Sequence, residues 1–335
     1  MNMRKWLEDL KAAPVKRAMP ILSFPSVSLM GITVHQLIGS AEVQAEGMKL
    51  VADRVPSCAS LSMMDLSVEA DAFGSQIRVT DFEVPTVVGR IIESEEDAEA
   101  LVVPPVGAGR TGRYIEAIRL AKQKITDRPV FAGVIGPFSL AGRLMDVTEI
   151  MVNCYDEPEM VEKTMEKTTE FIIKYIQAYK EAGADGVVLA EPLTGMLSPK
   201  LAEEFSEPYV RQIAEAVRSE DFVLIYHNCG NSTVQMIDSI LRTGCDAYHF
   251  GDAIRMKDML EKVPADCVVM GNVSPSRQFL SGTPESIREE TLAIMNECCK
   301  GHPNFLISSG CDIPPASPWE NIDAFFSAVG EFYGQ

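Results

Sequence analysis

A repeated alternation constrains this chain more than any other feature: short, apolar, β-rich segments followed by amphipathic helical stretches. Strands are predicted over Met19–Phe24, Pro56–Ser62, Pro129–Val134, Gly186–Ala190, Phe222–Tyr226, Ala247–Phe250, Cys267–Gly271 and Asn304–Ser308. Helical periodicity fills most of the intervals. Met160–Ala182 carries Val161, Met165, Phe171, Ile172, Tyr175 and Ile176 at helical spacing, and Lys200–Val217 and Val234–Thr243 behave likewise, the last stopping at Gly244. Strands that alternate with helices pair in parallel beneath a cover of helices. Eight such units in 335 residues predict an α/β chain folded as a single (β/α)8 TIM barrel, in preference to an open doubly wound sheet. No G-x-G-x-x-G follows any strand, which weakens a dinucleotide-binding reading. An N-terminal extension precedes the first strand. Ser75–Thr80 and Thr86–Ile91 alternate like a β-hairpin, expected as an insertion over the barrel mouth near residues 75–91. The whole chain, residues 1–335, is expected to be one domain.

The formal net charge of −18 disfavours nucleic acid, whose phosphates such a field repels. No basic patch overrides it: the stretch from Arg4 to Arg17 is interrupted by Glu8 and Asp9. The N-terminus mixes charges of both signs and lacks the apolar run of a signal peptide. Val130 to Gly142 is apolar but holds three glycines and a proline, and is too short to span a bilayer. A cytoplasmic setting is expected, in which the eight cysteines are reduced. Each is then a small buried hydrophobe, a metal ligand or a nucleophile.

Barrel enzymes carry their working residues where strands end at the C-terminal face. Here the strand over Phe222–Tyr226 runs into His227-Asn228-Cys229-Gly230, and that over Asn304–Ser308 into Ser309-Gly310-Cys311-Asp312. His249 lies in a strand that leads to Asp252, and another strand ends at Glu191. In extended chain, residues i and i+2 project to one side, so His227 and Cys229 can reach one point. Gly230 would let the backbone turn tightly. With Cys311 as a third donor, one imidazole and two thiolates suit Zn²⁺ with a fourth position open, as in catalytic sites. By spacing alone, a metal centre and ordinary packed side chains are equally good readings. Asp252 is the first candidate for the fourth position and His249 the second. Glu191 is read as a hydrogen-bonding pocket acid, and Glu191 with Asn272 as candidate cofactor contacts. Cys245 and Cys267 are expected in the core, Met63 and Met64 near the mouth.

Several stretches resemble one family. Gly136-Pro137-Phe138-Ser139-Leu140-Ala141-Gly142 resembles the GPFTLAG stretch of the uroporphyrinogen decarboxylase superfamily. Ala182-Gly183-Ala184-Asp185, then Ser198-Pro199, Phe205 and Pro208-Tyr209, are similar to its next strand and helix. Gly271-Asn272-Val273 and Ser281-Gly282-Thr283-Pro284-Glu285 are similar to its GN-V/I and L-x-G-T-P-E pattern. The likeness runs from about residue 19 to the C-terminus.

Within that superfamily, true decarboxylases carry an N-terminal arginine-rich segment that binds substrate carboxylates. The corresponding Ile21–Ser28 here has no arginine, which argues against a porphyrin substrate. The methylcobalamin:coenzyme M methyltransferase branch instead ligates zinc through H-x-C…C, which His227, Cys229 and Cys311 match; Gly310-Cys311-Asp312-Ile313-Pro314 is similar to its GCDIP stretch. The resemblance implies a zinc-dependent transfer of a methyl group from a methylcobalamin-type corrinoid to a thiol such as coenzyme M. No cobalamin-binding D-x-H-x-x-G segment occurs, so a separate corrinoid protein is the expected partner. Other acceptors or donors (tetrahydrofolate, or a methylated substrate that passes its methyl to the corrinoid), binding without turnover, and porphyrin decarboxylation are the alternatives.

Overall fold

The computed structural model describes residues 1–334. Nine strands form: β1 Ser60–Leu61, β2 Gln76–Arg78, β3 Thr86–Val88, β4 Val130–Ile135, β5 Gly186–Ala190, β6 Val223–Asn228, β7 Ala247–Phe250, β8 Val268–Val273 and β9 Phe305–Ser309. Seven make one parallel sheet in the order β1-β4-β5-β6-β7-β8-β9. Their residues are almost all buried, as in a parallel sheet covered on both faces.

The ring is closed by an irregular segment where the first strand was expected. Met19 N–H donates to Ile307 O on β9 at 3.2 Å, and Cys58 N–H, just ahead of β1, donates to Ala18 O at 2.9 Å. Met19–Phe24 thus occupies the eighth position of the barrel without being a regular strand. Pro20 has no N–H to give, and the Ile21 N–H turns to the Ser309 hydroxyl at 3.0 Å. The strand predicted over Pro56–Ser62 likewise shrinks to two paired residues.

Alternation along each strand sorts the two cores. Val188, Val223, Ile225, Ala247, Val268, Met270 and Leu306 face the barrel interior. Val187, Leu224, Tyr226, Tyr248, Phe250 and Ile307 join the outer core beneath the helices. The N-terminal extension is the helix Met3–Ala12, which plugs the floor with Met3, Leu7 and Leu10 and sets Trp6 against Phe131, centroids 5.6 Å apart. The expected insertion is present: β2 and β3 pair antiparallel, Gln76 with Val88 and Arg78 with Thr86, and Phe82 in their connection is 80% exposed.

The long helix is Pro158–Glu181, close to its expected span. The helix expected over Lys200–Val217 is two, Pro199–Phe205 and Glu207–Val217, because Pro208 can start a helix but cannot continue one. Ile237–Arg242 follows a 3₁₀ turn at Thr233–Gln235 and gives way after Thr243 to Gly244 at φ +73°. Among the described residues, no helix is long and apolar enough to cross a membrane.

Candidate metal centre

Strand β6 runs two residues further than its apolar stretch suggests, so His227 lies inside it, paired in register with Ala190 on β5 and His249 on β7. The parity that turns Val223 and Ile225 inward turns His227 inward as well. Its Nε2 lies 3.5 Å from Cys311 Sγ, which follows β9 on the far side of the mouth. The donor atoms of His227, Cys229 and Cys311 all lie within 4.8 Å of one another. Zinc bonds of about 2.05 Å to nitrogen and about 2.3 Å to sulfur, set at tetrahedral angles, place those donors about 3.6 Å apart. The observed separation therefore fits such an ion, with one coordination position left for a substrate.

The hydrogen bond from Cys311 lowers the Cys229 thiol against the opposing effect of burial, while the same contact and burial raise the Cys311 thiol well above its usual range. A second thiolate at this spacing requires a positive charge between the two sulfurs.

Behind His227 stands His249, Nδ1 to Nδ1 at 2.8 Å. Burial, followed by the nearby His227, pulls His249 well below the usual imidazole range, so it is neutral. Its Nε2 lies 2.8 Å from Ser308 Oγ, whose hydroxyl donates to Met19 O at 2.7 Å. His249 is therefore committed to His227 and Ser308 and lies outside the cluster of His227, Cys229 and Cys311, so it is not placed to fill a fourth position there, contrary to the expectation that it could.

Asp252 also takes a different place. It is exposed and lies against Gly310, where a Cβ would come within 2.9 Å of its Oδ1, and its carboxylate does not join the donor cluster. Glu191 is completely buried and internally satisfied. Its Oε1 accepts from Phe138 N–H at 2.9 Å, and its Oε2 accepts from Ser139 N–H, Ser139 Oγ and Thr194 Oγ1 at 3.1, 2.7 and 3.0 Å. Burial raises it to about 7 while these donors hold it down. It anchors the first turn of the helix Pro137–Met145 and has no oxygen free for a cofactor. Asn272 is similarly occupied, donating to Gly251 O and Ile254 O at 2.8 and 2.9 Å. Among the cysteines expected in the core, Cys245 is buried but Cys267 is only half-buried.

Gly230 acts through close approach instead of a turn. It is not among the glycines with positive φ, and it touches the backbone of Gly195. A cavity of about 520 Å³ opens beneath the hairpin, lined by Met64, Phe82, Val84, Arg143, Leu280 and Asp312 among others. Met63 turns into the core. Asp312, a lining residue, directly follows Cys311 in the chain, although His227, Cys229 and Cys311 do not themselves line the cavity. Arg143 was missed in the sequence, although a lone cation in the apolar helix PFSLAGRLM is a visible signal. Among the described residues it has no carboxylate or hydrogen-bond partner; the other mouth arginine, Arg110, is held by Asp65, Asp71 and Ser67.

Known proteins share this architecture. The uroporphyrinogen decarboxylase (URO-D) profile matches residues 9–332. The methylcobamide:CoM methyltransferase MtbA of Methanosarcina acetivorans is 26% identical over 329 residues, covering 93% of each chain. A uroporphyrinogen decarboxylase of Hydrogenovibrio crunogenus is 27% identical over 291 residues, covering 83% of this chain and 80% of its own. Among solved structures, a methyltransferase from Methanosarcina mazei superposes with a TM-score of 0.87 at 25% identity, covering 99% of both chains. The fold, and a profile that spans nearly the whole length, place this chain in the uroporphyrinogen decarboxylase family.

Proposed function

We propose that the protein transfers a methyl group from a methylated corrinoid, carried on a separate protein, to a thiol acceptor such as coenzyme M. In this reading His227 Nε2, Cys229 Sγ and Cys311 Sγ hold Zn²⁺, and the whole chain acts as one barrel domain. The observation that carries the proposal is the clustering of those three donors at the barrel mouth. Relatives named methylcobamide:CoM methyltransferases support it, and the lack of an arginine-rich segment over Ile21–Ser28 speaks against decarboxylation of a porphyrin.

The bound metal would lower the acceptor thiol's proton affinity, so that sulfur reacts as a thiolate at neutral pH. The chain's own residues supply the rest. His227, Cys229 and Cys311 would hold the ion at the mouth, where an acceptor thiol can reach it. The apolar walls of the cavity (Met64, Phe82, Val84 and Leu280) exclude water from the acceptor. Arg143, unpaired on the same wall, receives an anionic group at the far end of the acceptor. In the transfer, a sulfur–carbon bond forms and the cobalt–carbon bond breaks with its electron pair left on cobalt. The thiol proton passes to solvent. No protein group forms a covalent intermediate.

The test is zinc per chain in protein purified without added metal, followed by the visible spectrum of methylcobalamin with a panel of thiols. About one zinc per chain and thiol-dependent demethylation are the expected results. Metal-free protein that takes up no zinc under reducing conditions overturns the reading.

A further inference from the structure

The metal centre has a hydrogen-bond chain behind it whose direction can be read atom by atom. It begins at Met19 O, a carbonyl that can only accept. The Ser308 hydroxyl donates its single proton there at 2.7 Å, so toward His249 Nε2, 2.8 Å away, Ser308 can only accept. His249 Nε2 must then carry a hydrogen. His249 is almost wholly buried, where an uncompensated charge is costly. A neutral His249 with a proton on Nε2 has a lone pair on Nδ1. That lone pair faces His227 Nδ1 at 2.8 Å, so the proton between them belongs to His227.

We propose that the chain Met19 O–Ser308–His249 sets the tautomer of His227, placing its proton on Nδ1 and leaving the Nε2 lone pair aimed at Cys311 and Cys229. His249 and Ser308 are then positioning residues for the metal-binding imidazole. The acceptor that begins the chain lies in the irregular segment that closes the barrel, so ring closure and ligand orientation depend on the same backbone. The register adds to this: His227 pairs with His249 on the neighbouring strand, and Ser308 pairs with Asn272. The role assigned to Nε2 rests on the zinc reading; the tautomers do not.

The chain has four histidines, so ¹⁵N-resolved NMR of the full-length protein can assign each ring. The expected spectrum shows a protonated Nδ1 on His227 and a protonated Nε2 on His249. A proton on His227 Nε2, or on His249 Nδ1, overturns the inference whether or not the protein transfers methyl groups. Two substitutions give a second readout, the zinc retained against a chelator. His249→Gln keeps an oxygen to accept and an amide to donate, and should hold zinc within a few-fold of the parent. His249→Phe removes both and should weaken retention about 10-fold or more. Ser308→Ala, a smaller change, should also retain less zinc than the parent, which carries the test if His249→Phe does not fold. Equal retention in the Gln and Phe variants, or no zinc lost in Ser308→Ala, overturns it.

Discussion

Gly195 and Gly230 meet backbone to backbone: a Cβ on Gly230 would lie 2.3 Å from the Gly195 Cα, and one on Gly195 would lie 2.5 Å from the Gly230 Cα. These loops follow β5 and β6, and their contact fixes the path of the chain on either side of Cys229. Gly251 does the same from β7, since a Cβ there would lie 2.5 Å from Cys229 Cβ. The loop that carries Cys229 is thus clamped by two glycines from neighbouring strand ends. Gly230→Ala should destabilise the protein by about 1–3 kcal/mol and lower its zinc content, because backbone atoms cannot yield as a flexible side chain can. Thermal melting and elemental analysis check this; a variant that melts like the parent with full zinc refutes the clamp.

Cys311→Ser removes a soft ligand and keeps the size of the residue. Zinc should fall well below one per chain, and methyl transfer should drop by at least ~100-fold, since losing a ligand costs more than losing an outer partner. Metal analysis beside a rate measurement decides it. Full zinc with a loss of only a few-fold would show that Cys311 is not a ligand.

Arg143 can be separated from the metal by choosing the thiol. Arg143→Gln should raise the KM for a thiol carrying a sulfonate or carboxylate by about 10- to 100-fold, the worth of a charge-assisted hydrogen bond of ~1.5–3 kcal/mol. The KM for 2-mercaptoethanol should stay put, and Arg143→Lys should recover part of the loss. Equal effects on the charged and the neutral thiol would place the acceptor elsewhere.

Glu69 predicts a pH effect on stability. Burial raises its carboxyl from an ordinary 4.5 to about 8 despite the Ile135 N–H, which donates to Oε1 at 3.0 Å, and Oε2 has no partner. Because the folded pKa is the higher, the folded state holds a proton that the unfolded state releases between pH 4.5 and about 8. The contribution of Glu69 to stability is therefore full below the lower value and declines as pH rises through the window. Glu69→Gln should be the more stable protein at pH 8, with the difference closing toward pH 4. Melting curves across that range test it, and parallel profiles for the two proteins would show that Glu69 does not carry the effect.

Much of this could be read from residue patterns. The apolar β-rich segments at Gly186–Ala190 and Ala247–Phe250 match their strands residue for residue, since buried parallel strands need little beyond a short apolar run. The hairpin followed from strict alternation, and the long helix from Val161, Met165, Ile172 and Ile176. His227 and Cys229 were legible as a pair because their spacing already puts them on one side of an extended chain. Strand ends were less legible: β6 extends through His227 and Asn228 because the barrel gives those polar groups partners, His249 for one and Tyr226, Gly230 and Thr233 for the other.

By itself, then, the sequence determined the repeating strand–helix order, the shared side of His227 and Cys229 and the presence of two sulfurs and an imidazole at strand ends. All of these follow from local periodicity and residue chemistry. Only the tertiary structure decided that Cys311 crosses the mouth to within 3.5 Å of His227, that His249 and Ser308 stand behind that imidazole, and that Asp252 and Glu191 are committed elsewhere. Those relations join residues as far as 289 positions apart, Met19 to Ser308. No local pattern specifies such distances, because they are set where the barrel closes.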